Sequence, residues 1–134
     1  MIYLLDTHYL LWSLYAPEKI NASVRNVLEN EHDTKFLSSV NLWEISLKYS
    51  LGKLDLGGTN PRELFDTLLK AGYEVAALEP HLLVTYYQLP KKDDHKDPFD
   101  RLLIWQAISN GYTLITQDKK IAQYQADGLK ILVG

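Results

Sequence analysis

The chain has 134 residues, 46% hydrophobic and 23% charged, with a formal net charge of −3; these are ordinary globular values, and the length suits one domain over residues 1–134. It contains no cysteine, which excludes disulfide frameworks and thiolate metal sites. Met1 to Asp6 has no basic region, and no apolar run approaches a membrane span, so the expectation is a soluble, cytoplasmic protein with neither signal peptide nor membrane partner.

Ile2 to Leu5 is a short apolar run that stops at Asp6, which reads as a buried parallel strand with an acid at its C-terminal end. A helix starts at Thr7 and is ended by Pro17. Asn21 to Glu31 carries Val24, Val27 and Leu28 at helical spacing, with Asn21 as the cap. Lys35 to Ser39 is a second strand. The next helix stops at Gly52; its inward face is predicted to be Val40, Trp43, Leu47 and Leu51, with Glu44 on or near it. Asp55 to Asn60 is a turn, Pro61 to Lys70 a helix, Tyr73 to Leu78 a third strand, and Pro80 to Leu89 a helix.

Pro90 to Lys96 is a charged loop. It leads into a strongly apolar helix, with Asp97 as N-cap, Pro98 at the first helical position and Gly111 past the end. Leu102, Leu103, Ile104, Trp105, Ala107 and Ile108 make that helix apolar on nearly every side, so it is expected to be buried. Tyr112 to Thr116 is a fourth strand, Asp118 opens a short helix to about Tyr124, and Leu129 to Val133 is a fifth strand.

Strands alternating with helices predict an α/β fold: a parallel sheet with helices on both faces, in three layers. Ligands of such sheets bind outside the carboxyl ends of the strands. Asp6 and Asp118 follow strands directly, and Glu44 and Asp100 lie in the first turns of helices that start from the same edge. Each acid has an ordinary use. Asp6 and Asp118 suit helix caps, Glu44 suits an i,i+4 pair with Lys48, and Asp97 and Asp100 suit the helix dipole. Four acids on one apolar-walled edge without a basic partner, however, would push protons back onto one another unless a cation held them apart. Oxygen-only donors favour Mg2+ or Mn2+ over zinc, and such pockets serve phosphodiester hydrolysis.

Setting those four carboxylates aside changes the net charge of −3 to +1, so the acidic balance does not exclude a nucleic-acid substrate. His95 is either a phosphate or proton-transfer contact or a solvent-exposed loop histidine, and the latter reading is preferred. Arg101 is either a phosphate contact or a partner for Asp97. His8 packs or caps rather than ligates. Lys48, Lys53, Lys91, Lys92, Lys96 and Arg101 are the candidates for tracking a nucleic-acid backbone.

Asp6-Thr7-His8 with Leu10-Leu11-Trp12, then Trp43-Glu44-Ile45 with Gly52-Lys53-Leu54, then His95-x-Asp97-Pro98-Phe99-Asp100-Arg101 leading to Gln106-Ala107, and Thr116-x-Asp118, together resemble the PIN-domain proteins, in particular the VapC-type toxins of bacterial toxin–antitoxin pairs. The resemblance runs from the first strand to the last. It implies a five-stranded parallel sheet in the order 3-2-1-4-5 and a Mg2+- or Mn2+-dependent endoribonuclease. It places the acidic quartet on Asp6, Glu44, Asp100 and Asp118, with Asp97 as an additional acid that assists or caps, and Thr116 as a hydroxyl facing the metal site. It also implies a homodimer and a cognate antitoxin that blocks the acidic groove.

Two other classes compete. A non-catalytic, receiver-like acidic binding module would want adjacent acids after the first strand, an Asp after the third and a Lys after the last. A phosphatase with a nucleophilic Asp would want a second Asp two positions after Asp6, where His8 stands.

Overall fold

The computed structural model describes residues 1–133. Five strands, β1 (Ile2–Leu5), β2 (Thr34–Ser38), β3 (Glu74–Ala76), β4 (Thr113–Thr116) and β5 (Lys130–Val133), form one sheet in the order β3-β2-β1-β4-β5. All four pairings are parallel, with Leu4 of the central strand opposite Phe36 and Leu114. The order reverses at β1, so the crevice between the ends of β1 and β4 is the topological switch point where ligands of open sheets bind.

The sheet is buried on both faces because its central strands are apolar at successive positions. Leu5, Leu37 and Ile115 face one layer with Tyr9, Leu10 and Leu68. Leu4 and Leu114 face the other with Leu103, Ile104 and Tyr124. The first layer contains α1 (Thr7–Tyr15), α2 (Ala22–Glu29) and α4 (Pro61–Lys70); the second contains α5 (Pro80–Thr85), α6 (Pro98–Asn110) and α7 (Lys119–Ala122). Leu4, Leu5, Leu114 and Ile115 have no exposed surface, and truncating any one to Ala is worth about 2–5 kcal/mol.

α3 (Ser39–Ser50) runs along the seam between the layers, giving Ile45 to one core and Val40 to the other. Its inward face differs from the predicted one. Val40, Asn41, Glu44 and Ile45 point in, while Trp43 is 59% and Leu51 58% exposed. The rotation has a local cause. Asn41 Oδ1 accepts the Ser38 N–H at 2.7 Å, completing a capping box, and its amide turns inward to donate to Thr7 Oγ1. Trp43 is left outside, edge-on against Phe99 of α6 at 5.0 Å between ring centres.

α6 begins and ends as its sequence predicts. Asp97 Oδ1 accepts from Phe99 N–H at 2.9 Å and Asp100 N–H at 3.2 Å, Pro98 opens the first turn, and Gly111 closes it at φ +70°. Gln106 ties it to the end of β3 by donating to the Ala76 carbonyl at 3.0 Å. Two elements fall furthest short of their predicted lengths. β3 is an edge strand, and its pairing covers Phe36, Leu37 and Ser38 of β2. α5 stops at Thr85, whose hydroxyl bonds back to the His81 carbonyl, and passes into a 3-10 turn over Tyr86–Gln88.

Candidate functional site

The carboxyl edge of β1 and β4 opens into a cleft of about 660 Å³ lined by Asp6, Glu44, Asp100 and Asp118, with Lys48 and Lys53 at its wall. The structure thus brings together the four acids named from the sequence. Each is placed differently.

Asp6 caps α1: Oδ1 accepts the His8 N–H at 3.0 Å and Oδ2 accepts from the Thr116 hydroxyl at 3.0 Å. Burial opposes its ionisation, but the bonds from His8 and Thr116 prevail and hold the carboxyl below its ordinary range. The His8 side chain is largely exposed, 3.4 Å from Asp6 Oδ1 and tilted against Trp12. Its hydrogen bond to Asp6 raises its pKa. Thr116 is fully buried and serves two acids at once, since its oxygen also accepts the Asp118 N–H at 3.1 Å. Asp118 in turn caps α7 through the Lys120 N–H at 2.8 Å.

Glu44 is buried one turn into α3. Its Oε1 accepts from Thr7 Oγ1 at 2.6 Å, and its Oε2 pairs with Lys48. The i,i+4 partner considered from the sequence is therefore present, and the edge is not free of basic groups. Lys48 is held above its ordinary pKa, first by its bond to Glu44 and further by Asp97 and Asp100. Sequence reasoning missed the support behind Glu44: Asn41 Nδ2 donates to Thr7 Oγ1 at 2.9 Å, leaving the Thr7 proton for Glu44. The S-x-x-N spacing of Ser38 and Asn41 was the available signal.

Asp100 carries the strain of the site. Burial, then the charges of Asp97, Asp6, Glu44 and Asp118, push its carboxyl up to about 7. Its one side-chain hydrogen bond among the described residues is long, 3.4 Å from Oδ2 to His95 Nε2. Asp97 is the helix cap and lies outside the cleft lining.

Two accessory residues correct their sequence reading. His95 is not a solvent-exposed loop residue: it is 5% exposed, because a tight turn bridging Lys92 and His95 folds its ring inward onto Tyr124. Burial lowers its pKa against the opposing pull of Asp118 and Asp97. The Arg101 guanidinium pairs with neither the Asp97 carboxylate nor the open cleft. It is buried, donating to the hydroxyls of Tyr86 and Tyr124 and to the carbonyls of Leu89 and Pro90. The basic candidates divide likewise. Lys48 and Lys53 line the cleft with Lys119, whereas Lys91, Lys92 and Lys96 border a separate hollow beside Tyr87. Lys92 is paired there with Asp127 at 2.9 Å.

The PIN domain family model matches residues 3–127, and the chain belongs to the PIN domain family. Among solved structures it is similar to VapBC2 from Rickettsia felis bound to a DNA fragment from their promoter, at 20% identity, TM-score 0.71 and coverage of 99% of this chain and 98% of the other. It is also similar to VapBC-1 from nontypeable Haemophilus influenzae, at 22% identity, TM-score 0.68 and 99% and 98% coverage. A third is DNA-bound VapBC from Salmonella typhimurium, at 19% identity, TM-score 0.69 and 99% and 98% coverage. At these identities the likeness is one of fold. No curated protein matches the chain in sequence. No helix among the described residues is long and apolar enough to cross a membrane.

Proposed function

We propose that this protein is a Mg2+- or Mn2+-dependent endoribonuclease of the VapC toxin type, hydrolysing RNA phosphodiester bonds and neutralised by a cognate antitoxin. The observation that carries the reading is the convergence of Asp6, Glu44, Asp100 and Asp118 on one cleft, and Asp100 registers their crowding. Its carboxyl is forced up to about 7 by burial and by four neighbouring acids, a standing repulsion that a divalent cation relieves.

The donor set fits such an ion. Asp6, Glu44, Asp100 and Asp118 offer hard oxygen ligands on one cleft, and Lys48 pairs directly with Glu44 at its wall. When bound, the cation supplies Lewis-acid activation of water and neutralises charge building on the scissile phosphate. The protein's own groups do the rest. Thr116 and the His8 N–H fix the Asp6 carboxylate, and Thr7 with Asn41 fixes Glu44. Lys53 and Lys119 at the rim attract substrate phosphates and position the backbone without reading sequence. Both Asp6 oxygens accept hydrogen bonds, which suits a held ligand better than the free nucleophile of a phosphatase or the acceptor of a receiver-like module.

The similarity to VapBC assemblies supports an antitoxin partner that covers the acidic cleft, and a homodimer completes the proposal. The test is cleavage of total RNA by the purified protein with Mg2+ or Mn2+, with EDTA, and with Asp6→Asn. Discrete fragments that require both the metal and Asp6 are expected. Equal cleavage by Asp6→Asn would refute this assignment of the site.

A further inference from the structure

Tyr124 is fully buried, and its hydroxyl oxygen lies 2.8 Å from Arg101 Nη1 and 3.0 Å from His95 Nδ1. A guanidinium only donates. One lone pair of the Tyr124 oxygen is therefore taken by Arg101. The guanidinium cannot swing away, because Nε is held by the Tyr86 hydroxyl at 3.0 Å and the other nitrogens by the carbonyls of Pro90 and Leu89, both at 3.1 Å.

The Tyr124 hydroxyl still has its own proton to place, and a buried donor without an acceptor is costly. The acceptor beside it among the described residues is His95 Nδ1. An imidazole that accepts at Nδ1 carries its proton at Nε2. A ring protonated at Nδ1, alone or at both nitrogens, would aim two donors at the Tyr124 oxygen and strand the hydroxyl proton. Nε2 faces Asp100 Oδ2 at 3.4 Å, a separation typical of site hydrogen bonds that tighten when the site is loaded.

We infer that His95 is a positioning residue: the Arg101–Tyr124 pair locks its Nε2–H tautomer, so that it donates into the acid cluster at Asp100 Oδ2 rather than ligating a cation. Distance alone does not make this choice, since ligand atoms of His95, Asp100 and Asp118 lie within 4.8 Å of one another. The proton inventory makes it. The donor orients a carboxylate that otherwise has no hydrogen-bond partner from the described residues, leaving its second oxygen for the cation. The catalytic consequence rests on the nuclease reading above; the tautomer does not.

The test begins with the unmodified protein. Long-range proton–nitrogen correlation on the 15N-labelled chain, with and without Mg2+, should show His95 protonated at Nε2 and bare at Nδ1 in both states. Protonation at Nδ1 in either state overturns the proposal. Calorimetric titration with Mn2+ alone then compares His95→Gln, whose amide nitrogen restores a donor near the Nε2 position, with His95→Ala. The alanine variant should bind Mn2+ about tenfold more weakly, as for removal of an outer-shell partner, and the glutamine variant within about threefold of the parent. Equal losses in both variants overturn the positioning role.

Tyr124→Phe releases the lock and lets Nε2 offer a lone pair. It should raise affinity for Ni2+ relative to Mg2+, because imidazole favours the former; an unchanged ratio counts against the lock. Circular dichroism checks that each variant is folded. If no preparation cuts RNA while the tautomer and Mn2+ results stand, the nuclease reading fails and the positioning of Asp100 survives.

Discussion

The Thr116 hydroxyl donates to Asp6 Oδ2 at 3.0 Å across 110 residues of chain. The same oxygen accepts the Asp118 N–H, so one side chain sets the spacing between the acids that follow β1 and β4. Thr116→Val keeps the shape and removes both bonds. It should lower RNA cleavage by about 10- to 100-fold, as for other outer-shell substitutions, and destabilise the fold by about 1–3 kcal/mol through unpaired buried groups. Thr116→Ser should restore most of the cleavage. Steady-state rates and denaturant unfolding of the two variants check this.

Asp100 makes the metal-free protein sensitive to pH. Its native pKa of about 7 lies above the ordinary 3.8, so the native state binds the extra proton between those values. Stability should therefore fall as pH rises from about 4 to 7 and level off above, by about 4 kcal/mol at most. Asp100→Asn should stabilise the metal-free protein at pH 8 while abolishing cleavage. Saturating Mg2+ should raise the melting temperature more at pH 8 than at pH 5. Thermal melts in EDTA and in Mg2+ at both pH values measure this, and a flat metal-free profile would remove the argument for mutual repulsion.

Asp97 separates capping from chemistry. Its carboxylate caps α6 through two N–H groups and adds charge beside Asp100. Asp97→Asn retains a good cap and removes the charge, so cleavage should stay within about threefold of the parent. Asp97→Ala should cost about 1 kcal/mol of stability from the missing cap. A collapse of cleavage in the folded Asn variant would make Asp97 a ligand.

The lysines divide by place rather than by number. Lys53 and Lys119 line the cleft, whereas Lys91 and Lys92 border another hollow. Neutralising Lys53 and Lys119 to Gln should flatten the salt dependence of RNA binding, by about 0.7 in the log–log slope for each phosphate no longer neutralised. The corresponding Lys91 and Lys92 variants should leave the slope unchanged. Filter binding across a salt series decides between them.

Much of this architecture was legible without coordinates. Asp6 and Asp118 stand immediately after apolar runs, so alternation of strand and helix was enough to put them on one edge of a parallel sheet. Asp97, Pro98 and Gly111 mark the ends of α6 by local backbone chemistry, which acts over a few residues and leaves its signature in them. Glu44 and Asp100, in the first turns of helices that start from that sheet edge, were placed by the same topology, whereas the order of the strands followed from family likeness.

What only the tertiary structure decided was the direction of polar and aromatic side chains. Trp43 sits at helical spacing with Val40 yet faces solvent, because Asn41 is turned inward by its bonds to Ser38 and Thr7. Arg101 and His95 stand in a charged stretch yet are buried, because Tyr86, Tyr124 and the carbonyls of Leu89 and Pro90 supply partners from other segments. Hydrophobic periodicity records which face of an element prefers to leave water. Whether a charge can follow it depends on hydrogen-bond partners that meet only when the chain has folded.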